Sequence, residues 1–187
     1  MIIAFNGDHG SGKSTIAKMV ASELNYPRYY IGQIFRDMAK EKGMDLPEFR
    51  KACDTSPDFD KEIDFYPVKL AEKLNDFVLE SRTAWHFIPQ SFKIYLKVDD
   101  REGAKRIYKE LHANEYRKEE GSGLDSIEDV MASEEKRKQE DDIRYKKYYN
   151  LDIRQEKNYD LVVDTKKLTK DEVFNEVMRA IRLKLDA

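Results

Sequence analysis

A chain of 187 residues, 40% hydrophobic and 11% aromatic, fits the size of one globular domain and can bury a substantial core. Its 34 basic residues against 37 acidic ones give a formal charge of −3, so no global positive field recruits a nucleic acid polymer or an anionic membrane, and any anion site has to be local. Cys53 is the only cysteine, which excludes an intramolecular disulfide and a thiolate zinc framework and points to a reducing compartment.

Helical and strand periods alternate from end to end, the pattern of an α/β domain with helices on both faces of a sheet. Residues 1–5, MIIAF, read as a buried strand. They are too few for a signal peptide and lack its basic leader, and no other stretch approaches the length of a membrane span. A cytoplasmic monomer with no membrane partner is expected. Ile16, Met19, Val20 and Leu24 recur at helical spacing until Asn25 and Pro27 stop the helix. Residues 29–31 read as a short second strand, followed by a helix through Ile34, Phe35 and Met38 that ends near Gly43.

Ser56 before Pro57 is an N-cap and first-turn pair opening a further helix, in which Pro67 is expected to cause a kink or break. Residues 77–79 are a third apolar run. In residues 92–98 the apolar Phe92, Ile94, Leu96 and Val98 alternate with Lys93, Tyr95 and Lys97, which gives a strand with one wetter face. The stretch 118–147 is nearly devoid of apolar residues in its second half, as either a mobile lid or an exposed helix would be. Gly121-Ser122-Gly123 within it is too short for a domain linker and reads as a hinge inside one domain. Residues 161–163 are the last strand, and the final helix opens on a capping box, Thr169 with Glu172, before a core stripe of Val173, Phe174, Val177, Met178 and Ile181.

The densest chemical signal is Gly7-Asp8-His9-Gly10-Ser11-Gly12-Lys13-Ser14, a glycine, four residues, then glycine, lysine and serine. Average residue frequencies give roughly a 1% chance of such a match in a chain of this length, and the buried strand before it and the amphipathic helix after it lower that chance further. Glycines let successive N–H groups point at a β-phosphate, and the helix that starts near Lys13 aims its positive end at the same place. Gly7, Asp8, His9, Gly10, Ser11, Gly12, Lys13, Ser14 and Thr15 are therefore the expected triphosphate-binding residues. Lys13 reaches the β- and γ-phosphates and the Ser14 hydroxyl is placed to ligate Mg2+. His9 is expected to be solvated. Such a loop serves switch GTPases, motor ATPases and small-molecule kinases alike. Asp100-Arg101-Glu102-Gly103 has a GTPase-like spacing, but no Asn-Lys-x-Asp guanine motif occurs in the chain.

Beyond the loop, Tyr30-Ile31-Gly32-Gln33-Ile34-Phe35-Arg36 followed by Ala39-Lys40-Glu41-Lys42-Gly43, then Val78-Leu79-Glu80-Ser81-Arg82, then Arg137, Asp141 and Arg144, and the segment 158–165 with the capped last helix share one pattern. It resembles that of the nucleoside monophosphate kinases, most closely the cytidylate kinases of the compact archaeal type, over nearly the whole chain. The resemblance implies a five-stranded parallel sheet flanked by helices, an acceptor-binding helical insert at about residues 32–75 and a lid at about residues 113–145. It implies transfer of the γ-phosphoryl group of ATP, with Mg2+, to a nucleoside monophosphate, CMP or dCMP first. Arg36 and Arg82 would bind the acceptor phosphate, and Arg137, Asp141 and Arg144 would form the lid constellation. The chain departs from the family pattern at Ser81, where glycine is usual, and at Phe65-Tyr66-Pro67, where arginines are expected.

A monophosphate acceptor is already anionic, so transfer needs alignment and charge neutralisation more than a strong base. Glu80 is a candidate to orient a magnesium-bound water, or else a glutamate that salt-bridges beside Arg82. In a kinase for a small hydroxyl compound, the alternative enzyme, it would be the base. A nucleotide-dependent switch is the alternative of another class. Asp60 and Asp64, one turn apart, either hydrogen-bond the amino group of a base or form an acidic solvent-facing pair. Trp85 and His86 either border the acceptor site or, as the commoner case, belong to the core, and Tyr145, Tyr148 and Tyr149 either stack on a base or, more commonly, anchor the lid helix where it returns to the domain. Ile127, Val130, Glu134, Arg137, Asp141, Arg144 and Tyr148 follow one helical face whose ends are apolar and whose middle is charged, as a helix overhanging a polar site would show.

Overall fold

Ile2–Gly7 forms the strand β1, buried along its whole length. Ile3 and Phe5 face one layer and Ile2 and Ala4 the other, and burial on both faces is why the run is unbroken apolar sequence. The structure is a computed structural model that describes residues 1–55, 57–113 and 123–186, and of residues 47, 50, 54, 55 and 57–62 the backbone alone. After β1 come α1 (Lys13–Leu24), β2 (Arg28–Tyr30), α2 (Ile31–Glu41), α3 (Leu46–Thr55), α4 (Pro57–Ala71), β3 (Phe77–Glu80), α5 (Ala84–Phe87), β4 (Phe92–Lys97), α6 (Asp100–Ala113), α7 (Ile127–Tyr149), β5 (Leu161–Asp164) and α8 (Lys170–Leu185). The strands pair in the order β2-β3-β1-β4-β5, all parallel. Phe5 stands opposite Glu80 on one side and Ile94 on the other, so the loop after β1 and the end of β3 meet at the carboxyl edge, where open α/β sheets bind ligands.

On one face of the sheet Ile3, Phe5, Val78, Ile94 and Leu96 pack against Ile16 and Val20 of α1 and Val173, Val177 and Ile181 of α8. Full burial of side chains of this size contributes about 1.5–3 kcal/mol each. On the other face Phe77 and Leu79 meet Ala84, Ile88 and Leu70. The helices α2 to α4 have a small core of their own, in which Ala39, Phe49, Cys53 and Ile63 are buried and Phe35 lies 4.8 Å from Phe49. The capping box of α8 is present in full at Thr169 and Glu172.

Several local expectations are adjusted. β2 begins at Arg28, and α2 starts at Ile31. Helix α3 is an element beyond those expected, although Leu46, Phe49 and Cys53 recur at helical spacing; it opens on Asp45, whose Oδ1 accepts from Glu48 N at 2.8 Å while Asp45 N donates to Glu48 Oε2 at 3.1 Å. Helix α4 runs unbroken through Pro67: the lost hydrogen bond is confined to one turn, and the proline ring is buried with Ile63 on the inner side. Tyr95 on the supposedly wetter face of β4 is buried, because Tyr159 packs on it at 4.9 Å. Ser56, Gly121, Ser122 and the stretch 114–122 of the expected lid lie outside the described residues.

Helix α7 lies along α6, starting at Ser126, whose side chain accepts from Asp129 N, and ending at the left-handed Asn150. Its last turn is anchored as expected, with Tyr145, Leu151 and Ile153 buried against Trp85 and Tyr149. No helix among the described residues is long and apolar enough to cross a membrane.

Candidate active site

Two glycines bring the phosphate loop into backbone contact with α6. Gly10 has φ +75°, and a Cβ there would lie 2.3 Å from the carbonyl oxygen of Gly103; a Cβ on Gly103 would lie 2.6 Å from that of His9. Gly103 is thus a packing glycine under the loop, which accounts for the Asp-x-x-Gly spacing without any guanine-nucleotide switch. Asp8 fastens the start of the loop: its carboxylate accepts from Tyr95 Oη at 2.7 Å and Val98 N at 3.0 Å, and Arg154 stands 3.8 Å away. The Ser11 hydroxyl is buried and has no partner among the described residues, the state expected of a group reserved for a ligand.

Lys13 folds back on its own loop, Nζ donating to the carbonyls of Gly7 at 2.9 Å and Asp8 at 2.8 Å. Burial, and then the charge of Arg82, push its ammonium down to about 8. Ser14 Oγ donates to Glu80 Oε2 at 2.6 Å, and Glu80 Oε1 accepts from Arg28 Nε at 2.7 Å. The ion-pair partner of Glu80 is therefore Arg28 of β2, not its near neighbour Arg82. A hydroxyl and a carboxylate are hard oxygen donors that fit Mg2+, and no cluster of three or more His, Cys, Asp or Glu side chains that could cage a metal occurs among the described residues. Mg2+ takes oxygen ligands of this kind.

His9 is not solvated. Its ring is sheltered under α7, where it pairs with Glu134 and lies 2.8 Å from Arg82 Nη2. Burial, chiefly, together with the charges of Arg137 and Arg82, lowers its pKa to about 4 although the Glu134 hydrogen bond pulls the other way. For Glu134, burial favours the neutral acid, but the hydrogen bond from His9 and the neighbouring cations hold the carboxyl below its usual value.

Beside the loop opens a cleft between α2 and α7. Tyr30, Phe35, Leu46 and Cys53 form an apolar wall, and Arg36, Arg82, Arg137 and Arg144 supply cations together with the acids Glu140 and Asp141. Asp141 is buried and bridges two of them, Arg82 at 2.8 Å and Arg144 at 3.6 Å. Arg144 also stacks on the Tyr145 ring, 4.5 Å from its centroid. Arg137 pairs with Glu134 at 3.8 Å, whereas sequence spacing alone would have joined it to Asp141. Arg36 lies over the Tyr30 ring at 5.2 Å and is oriented by Gln33. The structure so gathers Arg36, Arg82, Arg137, Asp141 and Arg144 in one cleft. Asp64 is buried on α4, where its charge adds to burial, the chief cause, in raising the Tyr145 phenol pKa, and it does not line the cleft; the side chain of Asp60 lies outside the described residues.

The sequence pattern of the cytidylate kinase-like family matches residues 2–167. The chain belongs to the cytidylate kinase-like family. It is 39% identical over 186 residues to the cytidylate kinase of Methanocaldococcus jannaschii, covering 97% of each chain. To the cytidylate kinase of Pyrobaculum aerophilum it is 36% identical, covering 100% of this chain and 91% of that one. Among solved structures, a shikimate kinase from Bacteroides thetaiotaomicron shares the fold, with a TM-score of 0.64 at 14% identity over 100% of this chain and 99% of that one.

The two departures from the cytidylate kinase pattern have physical roles here. Ser81 Oγ accepts from the N–H groups of Thr83 and Ala84, each at 3.2 Å, and so starts α5. Phe65 packs against Phe87 at 5.0 Å. Arg28 and Arg154 are site residues that sequence reasoning missed, and it gives Glu134, placed on the inward face of α7, no partner there. No motif flags them, since each is defined by a partner distant in the chain, with Arg154 joining Asp8 to Asp142 of α7.

Proposed function

We propose that the protein transfers the γ-phosphoryl group of ATP to a nucleoside monophosphate, with CMP or dCMP the preferred acceptor. The observation that carries this reading is the four-arginine cleft beside the phosphate loop. An aromatic and apolar wall on one side and guanidinium groups on the other suit a flat base joined to a phosphate dianion. In this reading the loop N–H groups and Lys13 hold the donor phosphates, and Lys13 exchanges its two loop carbonyls for phosphate oxygens. Arg36 and Arg82 take the acceptor phosphate. Arg137 and Arg144, held by Glu134 and Asp141, neutralise charge on the group in flight. Mg2+ beside Ser14 and Glu80 would supply further neutralisation at the β- and γ-oxygens when bound.

The preference for cytosine rests on the relatives named cytidylate kinase. Transfer to a small hydroxyl compound loses its base, because both oxygens of Glu80 are engaged by Ser14 and Arg28 and the residue does not line the cleft. The direct test incubates the protein with ATP, Mg2+ and each common nucleoside monophosphate and separates the products. CMP or dCMP should be phosphorylated fastest. A clear preference for UMP, AMP or GMP would overturn the cytosine assignment, and no transfer to any of them would overturn the kinase reading.

A further inference from the structure

His9 occupies a spacer position of the phosphate loop, yet both of its ring nitrogens reach out of the loop. Nδ1 pairs with Glu134 of α7, and Nε2 lies 2.8 Å from Arg82 Nη2. A guanidinium has donors and no acceptor, so Nε2 must accept from Arg82 and Nδ1 must carry the proton that is donated to Glu134. The ring is neutral and fixed in one tautomer. Arg82 Nη2 donates one hydrogen to His9 and lies 2.8 Å from Asp141 Oδ2 in an ion pair. Nε and Nη1 are left for a phosphate.

The contacts then continue on α7 at both ends, from Glu134 to Arg137 at 3.8 Å and from Asp141 to Arg144 at 3.6 Å. The relay therefore leaves α7 at Glu134, crosses the phosphate loop at His9, passes through the arginine after β3, and returns to α7 at Asp141. The His9 side chain is 17% exposed and that of Arg82 28%, shelter enough that these are not freely screened surface contacts. Arg137 and Arg82 also face the ring, which opposes its protonation.

We propose that His9 is a positioning residue for the acceptor: by accepting from Arg82 and donating to Glu134, it aims Arg82 into the acceptor cleft and ties that aim to the seating of α7 on the phosphate loop. This rests on the reading that Arg82 takes the acceptor phosphate. A residue of the donor loop then governs the acceptor constant while leaving the donor constant nearly alone.

The test compares two substitutions that divide the ring's functions. His9→Asn keeps a group at the Nδ1 position for Glu134 and loses Arg82; His9→Gln reaches the Nε2 position, keeps an acceptor for Arg82 and loses Glu134. KM for the acceptor should rise about tenfold in His9→Asn, and about threefold or less in His9→Gln, with KM for ATP within about twofold of the parent in both. An acceptor KM unchanged in both variants, or a parallel rise for ATP and acceptor, would reduce His9 to loop scaffolding and overturn the proposal. Nitrogen NMR of the His9 ring in the parent reads the relay without turnover: it should be neutral at pH 7 with the proton on Nδ1, and should titrate at higher pH in Arg82→Ala. A proton on Nε2, or a cation at pH 7, overturns the relay even if transfer to nucleoside monophosphates is found. Failure of the parent to phosphorylate any of them would instead remove the kinase reading while this spectrum stood.

Discussion

Ser14 Oγ and Glu80 Oε2 lie 2.6 Å apart, so the residue that follows the phosphate-loop lysine is hydrogen-bonded to the last residue of the neighbouring strand. The contact exists because β1 and β3 pair in parallel with Phe5 opposite Glu80, and it places a buried carboxylate where a hydroxyl is expected to meet a cation. Glu80→Gln preserves shape and a partner for Ser14 but removes the charge shared with Arg28. It should lower kcat by about tenfold to a hundredfold and raise the Mg2+ concentration needed for half-maximal rate. A titration of rate against Mg2+ that is superimposable on the parent's would leave Glu80 as no more than the ion-pair partner of Arg28.

Lys13 has a pKa lowered to about 8 by burial and by Arg82, and a bound triphosphate would raise it again by its negative charge. The sign follows from linkage. Below about pH 8 the ammonium is charged with or without nucleotide and affinity is full; above it the free protein sheds a proton that binding must recover, so affinity falls as pH rises. Calorimetry in buffers of different ionisation heat should detect proton uptake on ATP binding near pH 8.5 and little near pH 7. Lys13→Ala should fold and lose transfer, since among the described residues its ammonium hydrogen-bonds to loop carbonyls and not to the core. Affinity independent of pH from 7 to 9.5 would contradict the role given to Lys13.

Gly103 is the residue on which the loop rests. In Gly103→Ala the new methyl carbon would start 2.6 Å from His9 O and 3.2 Å from Val98 Cγ1, and the nearer obstacle is backbone that cannot rotate away. The substitution should cost about 1–3 kcal/mol of stability by overpacking and weaken ATP binding by displacing the loop. Denaturant unfolding and nucleotide titration check both effects. A variant with parental stability and parental affinity would mean that α6 and the loop separate more easily than their contact implies.

Arg137 and Arg144 differ in their surroundings, which separates two effects. Arg137 is the more exposed, at 40% against 21% for Arg144, and Arg144 also donates to Tyr145 Oη at 2.8 Å. Each change to alanine should lower kcat by on the order of a hundredfold. Arg144→Ala should in addition lose about 1 kcal/mol of stability as Asp141 and Tyr145 lose a partner, while Arg137→Ala should melt near the parent temperature. If both variants turn over within about threefold of the parent, the charged face of α7 is a surface pairing pattern and nothing more.

The legible parts of this molecule are those whose causes are local in sequence. The phosphate loop, the Thr169 capping box and the alternating layers of β1 follow from spacing within a few residues. The single-face pattern of α7 also showed in advance, since Val130 and Asp141 are buried and Arg137 and Arg144 border the cleft. Helix α3 was legible too, with a start in Asp45 and Glu48 and an apolar stripe of Leu46, Phe49 and Cys53 at helical spacing. What sequence could not show is set by the packing of remote segments. His9 looks like a solvated loop histidine until α7 is laid over it, and Glu80 looks like a partner for Arg82 until β2 brings Arg28 alongside. Tyr95 alternates like a surface residue but is covered by Tyr159.

Phosphorus NMR of one mixture, containing the protein, ATP, Mg2+ and CMP with no coupling enzyme, follows the γ-phosphorus itself. The account predicts that the γ-signal of ATP is lost at the rate at which the β-signal of CDP grows, with inorganic phosphate a minor product. Conversion of the γ-phosphorus to inorganic phosphate while CMP remains unchanged would contradict it, and would make the protein a slow hydrolase of the switch type.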